Sequence, residues 1–414
     1  MTQSGGFHEH TLKNGLRIVV ETMPHVRSAA AGFLVRTGAR DETPDLAGVS
    51  HFVEHMCFKG TKKRGWEQIT RDFDDMGSTY NAYTSKERTV YFGWVRVEDL
   101  ERQIELLADM MQSQMPSEEF DMEKNVILEE IAMSDDSLER KVYDLLHERL
   151  YAGHPLSWPV LGTTESITAL SRDSLYGYFA DRYHPRNMVL IVTGAVEPKA
   201  VYDIAERICG DWAPAEPRPD RARPKATLTG VHKGVVDRFQ RQAIGILYPA
   251  PSAADEDRDI GDLVASILGG RNSRFFWNIV QTGVAANVAA GRLDYCDEGL
   301  MLAFGFTEPD RADELLGAMR KEIATLQSGG VTEDEVQRVR NRVATSLASE
   351  GEAPYYRFMQ MIQEIDVFGL PRTVEQRLAV LEKATPAVVR EYLARWPLQG
   401  DGAVISLGPR DWPV

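Results

Sequence analysis

Hydrophobic and polar positions along this chain fall into two kinds of segment that take turns. Short runs rich in β-branched and aromatic residues read as strands: Leu16-Arg17-Ile18-Val19-Val20, Ala29 to Thr37, Ser78 to Ser85 and Arg88 to Val97. Asn14-Gly15 is a tight-turn signal before the first of these, so residues 7–22 read as a hairpin with Thr11-Leu12 on the incoming arm. Between the strands lie segments of helical period, at 46–59, at 66–76 (closed by Gly77), at 100–115 and at 117–133. In the third, Leu100, Ile104, Leu107, Ala108, Met111 and Met115 share one stripe, which marks the methionines as core filler.

The order then recurs. Gln242 to Tyr248 reads as a strand, 256–268 as a helix, Leu300 to Phe306 as a strand and 311–327 as a helix, with Thr332-Glu333-Asp334-Glu335 opening another. That succession matches Thr89 to Trp94, the helix 100–115 and Ser117-Glu118-Glu119, about 215 residues earlier, and predicts two related α+β domains rather than a solenoid. Residues 211–224, with four prolines, read as a linker. The expected division is therefore 1–212, a linker at 213–224, and 225–414.

Composition narrows the class. A chain of 414 residues, 43% hydrophobic and 26% charged, is long enough to bury cores without disulfides. Cys57, Cys209 and Cys296 are widely spaced and odd in number, which predicts reduced thiols and a cytoplasmic setting. The first residues show no signal-peptide pattern, and no apolar run approaches a membrane span, so no membrane association is expected. A net charge of −15 argues against nucleic acid as a partner.

The chemistry concentrates in His51-Phe52-Val53-Glu54-His55. On a helix, His51 and His55 stand one turn apart on one face, where two imidazoles can share a metal ion, with Glu54 beside them. The order is H-x-x-E-H, the inverse of the usual zincin pattern. In the helix 117–133, Glu123 and Glu130 share a face. Glu130 follows Val126 and Ile127 on an apolar, inward stripe, while Glu129 faces water. An inward carboxylate needs a cation or a donor, and two histidines with one carboxylate form a standard catalytic zinc set. The alternatives are solvated helix histidines and a salt-bridged glutamate.

His51-x-x-Glu54-His55 with Glu130 in Val126-Ile127-Leu128-Glu129-Glu130-Ile131 resembles the M16 (pitrilysin, mitochondrial processing peptidase-like) zinc metallopeptidases. The likeness extends through Phe58-Lys59-Gly60-Thr61, Asn81-Ala82-Tyr83-Thr84 with Glu87 and Tyr91, His154-Pro155-Leu156 with Leu161-Gly162, and Tyr183-His184-Pro185-Arg186-Asn187-Met188. It implies two homologous domains of the LuxS/processing-peptidase-like metallohydrolase type, each a mainly antiparallel sheet packed with helices. It implies one Zn²⁺ per chain on His51, His55 and Glu130, with Glu123 orienting a ligand. Glu54 would be the base that activates the zinc-bound water. It further implies cleavage of extended or unfolded peptides inside a chamber, the substrate adding as a strand along Asn81, Ala82 and Tyr83.

The second half departs from that family. It has no H-x-x-E-H, and its one histidine, His232, reads as a surface residue. Leu268-Gly269-Gly270-Arg271-Asn272-Ser273-Arg274 lacks the G-x-x-x-x-G-K-[ST] phosphate-loop pattern and reads as a turn or hinge. Active members place an arginine and a tyrosine seven residues apart in this half. Aligned on Gly283, those positions are Ile279 and Ala286. Either that alignment is off, or the enzyme is weak, or a related partner supplies the pair in a heterodimer; the last is preferred, because the resemblance includes two-chain members with zinc on one subunit and the pair on the other. A homodimeric peptidase, a non-catalytic interaction subunit and a hydrolase of other amides or esters stand as alternatives.

Overall fold

A computed structural model describes residues 6–216 and 221–412; part of the 213–224 linker, 217–220, lies outside the described residues. The chain forms two sheets. Strands β1 (Phe7–Thr11), β2 (Arg17–Thr22), β3 (Ser28–Val35), β4 (Thr79–Thr84), β5 (Thr89–Arg96) and β6 (Met188–Gly194) build the first, in the order β1-β2-β6-β3-β5-β4. Strands β7 (Val231–Val235), β8 (Gln242–Ala250), β9 (Asn287–Asp294), β10 (Gly299–Thr307) and β11 (Ala403–Gly408) build the second, in the order β7-β11-β8-β10-β9. Leaving out β1, the two orders are the same. The β2–β6 pair is parallel, as is β7–β11, and every other pairing is antiparallel. The duplication read from the element order is thus present strand for strand.

The helices repeat in part: among the described residues there are eight in the first half against six in the second. In the first half they are α1 (Val49–Cys57), α2 (Trp66–Asp75), α3 (Leu100–Met110), α4 (Ser117–Asp135), α5 (Leu138–Leu150), α6 (Thr164–Ala169), α7 (Arg172–Arg182) and α8 (Pro198–Cys209). In the second they are α9 (Arg258–Gly269), α10 (Ala312–Gln327), α11 (Glu333–Glu350), α12 (Pro354–Phe368), α13 (Val374–Glu382) and α14 (Pro386–Arg395). The segment 100–115 is helical only to Met110; Met115 has φ +48, outside the helix, and is still fully buried.

Central strands are buried along almost their whole length, as β3, β6, β8 and β11 show, whereas the edge strands β4 and β7 alternate. Continuous apolar runs arise because both faces of each sheet are covered. In the first sheet one face packs on Phe52 of α1, Ile104 and Leu107 of α3, and Phe179 of α7. Its other face (Val19, Ala30, Leu34, Phe92, Ile191) packs on Phe358, Met361, Ile362 and Ile365 of α12. Gly32 in β3 permits this, because a Cβ there would lie 2.5 Å from the Phe358 ring. In the second sheet α9, α10 and α14 cover one face and Leu145, Leu146 and Leu150 of α5 cover the other.

The compact units therefore differ from the contiguous 1–212 and 225–414 expected from the chain order. One comprises Met1–Ala132, Trp158–Arg221 and Ser349–Arg372; the other comprises Met133–Ser157, Ala222–Ala348 and Thr373–Val414. Each repeat gives away the helix after its longest one, α5 or α12. Periodicity marks an apolar stripe on such a helix but carries no label for the sheet that will cover it.

Candidate metal centre

The start of α1 is set by two residues ahead of it. Gly48 has φ +91, and a Cβ there would meet Gly162 Cα at 2.7 Å, so only glycine lets this turn lie against the Leu161-Gly162 segment. Buried Glu42 then accepts from the backbone N–H groups of Gly48 (2.7 Å) and Ser50 (2.8 Å), doing what an N-cap side chain does. Burial pushes the Glu42 carboxyl up to about 7 despite those two hydrogen bonds.

From that start the helix presents His51 and His55 on one face, ring centroids 4.5 Å apart. Helix α4 brings Glu130 opposite them: its Oε2 lies 3.7 Å from His51 Nε2 and 3.6 Å from His55 Nε2. One donor atom from each of the three residues lies within 4.8 Å of the other two. Tetrahedral donors about 2.1 Å from one ion are about 3.4 Å from each other, so these three fit a single divalent ion. Glu130 is less enclosed than its stripe suggests, with its side chain 36% exposed, and Val126 turns outward at 41%; Ile127, fully buried, is the residue that anchors α4. Glu129 is exposed, as expected.

The ring of His55 is fixed from behind. Its Nδ1 lies 2.8 Å from Glu123 Oε1, and since a carboxylate only accepts, Nδ1 carries the hydrogen and Nε2 keeps its lone pair. Lys59 donates to the other Glu123 oxygen at 2.6 Å. Burial alone would raise Glu123, but the His55 and Lys59 bonds outweigh it and hold the carboxylate ionised. Burial, then the His55 charge, push His51 down to about 3, which leaves it neutral and able to ligate. For His55 burial acts downward, yet the Glu123 bond and the Glu130 and Glu54 charges raise it overall. The carboxylates that favour a proton on His55 favour a metal cation in the same place.

Glu54 is buried on the same helix, and Thr84 Oγ1 donates to its Oε2 at 2.6 Å. Burial raises its carboxyl, with the Thr84 bond opposing. Thr84 ends β4, the outer strand of the sheet, which also carries Asn81, Ala82 and Tyr83. Asn81 is exposed and bonds the N–H of Ala82 at 2.9 Å; Ala82 packs toward the α1 side of the sheet and Tyr83 toward the α12 side. Sequence reasoning missed Lys59, Thr84 and Glu42. Lys59 stands four residues after His55, a spacing that could have pointed to it; the other two are placed only by the folded chain.

In the second repeat, Ile279 is fully buried in the core and belongs to a π-turn, Phe276–Val280. Ala286 is exposed. His232, expected at the surface, is half-buried on β7.

Residues 17–164 match the family model for insulinase (peptidase family M16), and residues 169–343 match the model for the peptidase M16 inactive domain. An uncharacterized zinc protease of Bacillus subtilis, YmxG, is 34% identical over 348 residues, covering 82% of this chain and 83% of that protein. The chain belongs to the M16 peptidase family. A second uncharacterized zinc protease, from Streptomyces coelicolor, is 32% identical over 409 residues, covering 95% of this chain and 88% of its own length. The crystal structure of a Helicobacter pylori protease has the same fold, with a TM-score of 0.91 at 20% identity over 98% of this chain and all of that one. No described helix of this M16 protein is long and apolar enough to cross a membrane.

Proposed function

We propose that this chain is a zinc-dependent endopeptidase acting on extended peptides, with His51, His55 and Glu130 as the metal ligands and Glu54 as the general base. The observation that carries this reading is the convergence of those three donors beside a buried carboxylate on the same helix. Zinc bound there would supply Lewis acidity toward a scissile carbonyl and make water ionise near neutral pH. Glu54 takes a proton from the attacking water and returns it to the leaving amine. Thr84 engages Oε2 alone, and Oε1 has no hydrogen-bond partner among the described residues, so one oxygen is held and the other is available. A carboxyl raised by burial is a better base than a solvated one. Glu123, itself held by Lys59, fixes the tautomer and angle of His55.

Among the described residues no strand pairs with the outer edge of β4, which lies next to Glu54 through Thr84 on the same strand; the Asn81 side chain holds the Ala82 N–H there and would give way to an incoming peptide. A peptide pairing there would be held by main-chain hydrogen bonds, with little demand on its sequence. Asn81, Ala82 and Tyr83 are the residues assigned to that contact. Burial of Ile279 and the bare methyl of Ala286 support a second, related polypeptide as the source of the arginine and tyrosine, which makes the active form a heterodimer. Loss of one oxyanion donor costs an enzyme about 3–4 kcal/mol, enough to matter for a chain acting alone.

The test is cleavage of a quenched peptide by the chain alone and with a co-expressed M16-like partner, with metal content measured alongside. Activity that needs the partner, and disappears in Glu54→Gln with metal retained, is the expected result. Full activity from the chain alone would remove the partner from the reading and favour a homodimer. Metal without activity in either setting would favour the non-catalytic subunit.

A further inference from the structure

Helices α9 and α11 follow the same strands in the second repeat as α1 and α4 do in the first. Aligned at their first residues, Ser117 and Glu333, the inward positions of α4 and α11 coincide: Phe120, Glu123 and Ile131 fall on the buried Val336, Val339 and Leu347, and Ile127 falls on the half-buried Val343. At that register the buried carboxylate has become Val339, and the outward Met122 and Val126 have become Arg338 and Arg342. A cavity of about 560 Å³ lies along this face of α11, bounded by the end of α9 and the loop after it.

Four guanidinium groups line it, on Arg271, Arg274, Arg338 and Arg342, against one carboxylate, Glu335. That carboxylate is already engaged, with its two oxygens on Arg274 at 2.7 and 2.9 Å. Arg274 is 9% exposed, and its Nη1 is buried with no hydrogen-bond partner among the described residues. Arg271 and Arg338 are exposed and make no ion pair among the described residues. Arg342 donates to the Arg271 carbonyl at 2.6 Å, and its Nη2 sits where a Cβ on Gly270 would be 2.6 Å away. Burial and the Arg271 charge both lower Arg342, the sign of a cation without a counter-charge. Trp277, 57% exposed, adds a flat apolar wall.

Like charges collected around one cavity on a chain of net −15 call for an anion. Guanidinium forks match phosphate oxygens in pairs, and several such groups suit a multiply charged ligand better than a single carboxylate. We propose that this pocket binds a small phosphate-bearing molecule, its phosphate oxygens on Arg271, Arg338, Arg342 and Arg274 Nη1 and its remaining part against Trp277. The loop does this without a phosphate-loop pattern, because the donors are side chains rather than a helix N-terminus.

Calorimetric titration of the full chain with tripolyphosphate, ADP and citrate tests it, with Arg271→Ala/Arg338→Ala as the main variant because both side chains are exposed and their loss should leave the fold intact by circular dichroism. Saturable binding of a phosphate probe, weakened at least about tenfold in the double variant, is the expected result. Trp277→Ala then separates the sources: selective loss of ADP points to a nucleotide-like ligand, and an equal response of both probes points to phosphate groups alone, either outcome supporting the pocket. No saturable binding of tripolyphosphate or ADP would overturn the proposal, as would binding that the double variant leaves unchanged. Citrate binding more tightly than either phosphate probe would overturn it in favour of a carboxylate ligand.

Discussion

The helix pairs α1/α4 and α9/α11 hang on sheets of the same topology, yet they gather opposite charge. Around His51 and His55 stand three carboxylates, Glu54, Glu123 and Glu130, against one ammonium, Lys59. Around the cavity beside α11 stand four guanidinium groups against one carboxylate. The buried face of α9 is Ile260, Leu263, Val264 and Ile267, where α1 interrupts its own with a buried glutamate. The framework is thus indifferent to the chemistry it carries. What differs is a handful of side chains on two helices, and those decide whether a cation or an anion is welcome.

The sharpest way to break this contrast is at Glu54. Glu54→Gln is expected to lower kcat by about 10²–10⁴-fold with bound metal unchanged, read by peptide cleavage and metal analysis. An active Glu54→Gln protein would end the base assignment. Next comes Ile279, which the second repeat uses as core. Ile279→Ala should cost about 2–5 kcal/mol in denaturant unfolding. A near-neutral result would mean that this position is not the packed one, and would reopen the search for the missing arginine.

A smaller effect is expected behind the ligands. Glu123→Gln should weaken metal binding by about 10–100-fold, measured by competition with a chelator, and Lys59→Met should act in the same direction through Glu123. If neither moves metal affinity, the Glu123 hydrogen bond does not orient His55.

The mildest prediction concerns pH. His184 follows Tyr183, the C-cap of α7, where Pro397 follows Trp396, the C-cap of α14. His184 is buried, both ring nitrogens lack partners among the described residues, and burial, then Arg186 and Arg182, lower it below its ordinary 6.5. Below 6.5 the unfolded chain binds the proton first, so stability falls as pH drops from 6.5 through the folded-state value and is unaffected above. His184→Phe should flatten that acid-side decline in unfolding curves, and a decline of unchanged size would place its origin elsewhere.

Much of this was legible in the residues. Strand and helix periods, the Asn14-Gly15 turn and the repeat of element order all correspond to elements observed. His51 and His55 were legible because a helix fixes what stands one turn away. Glu130 was legible by type, but its partial exposure was not, since Val126 and Ile127 are neighbours in the chain and point to opposite environments. The loop Gly269 to Arg274 read as a turn because its arginines acquire a shared cavity only when α11 comes alongside.

Local periodicity and residue type, acting over a few turns or one strand, therefore determined the elements, the duplication and the two histidines. The tertiary structure alone decided which sheet receives α5 and which receives α12, that Thr84 reaches Glu54, that Lys59 backs Glu123, and that four arginines meet beside one committed glutamate. Those pairings join residues tens to hundreds of positions apart. Burial of apolar faces brings them together without regard to sequence distance, and no short-range pattern records them.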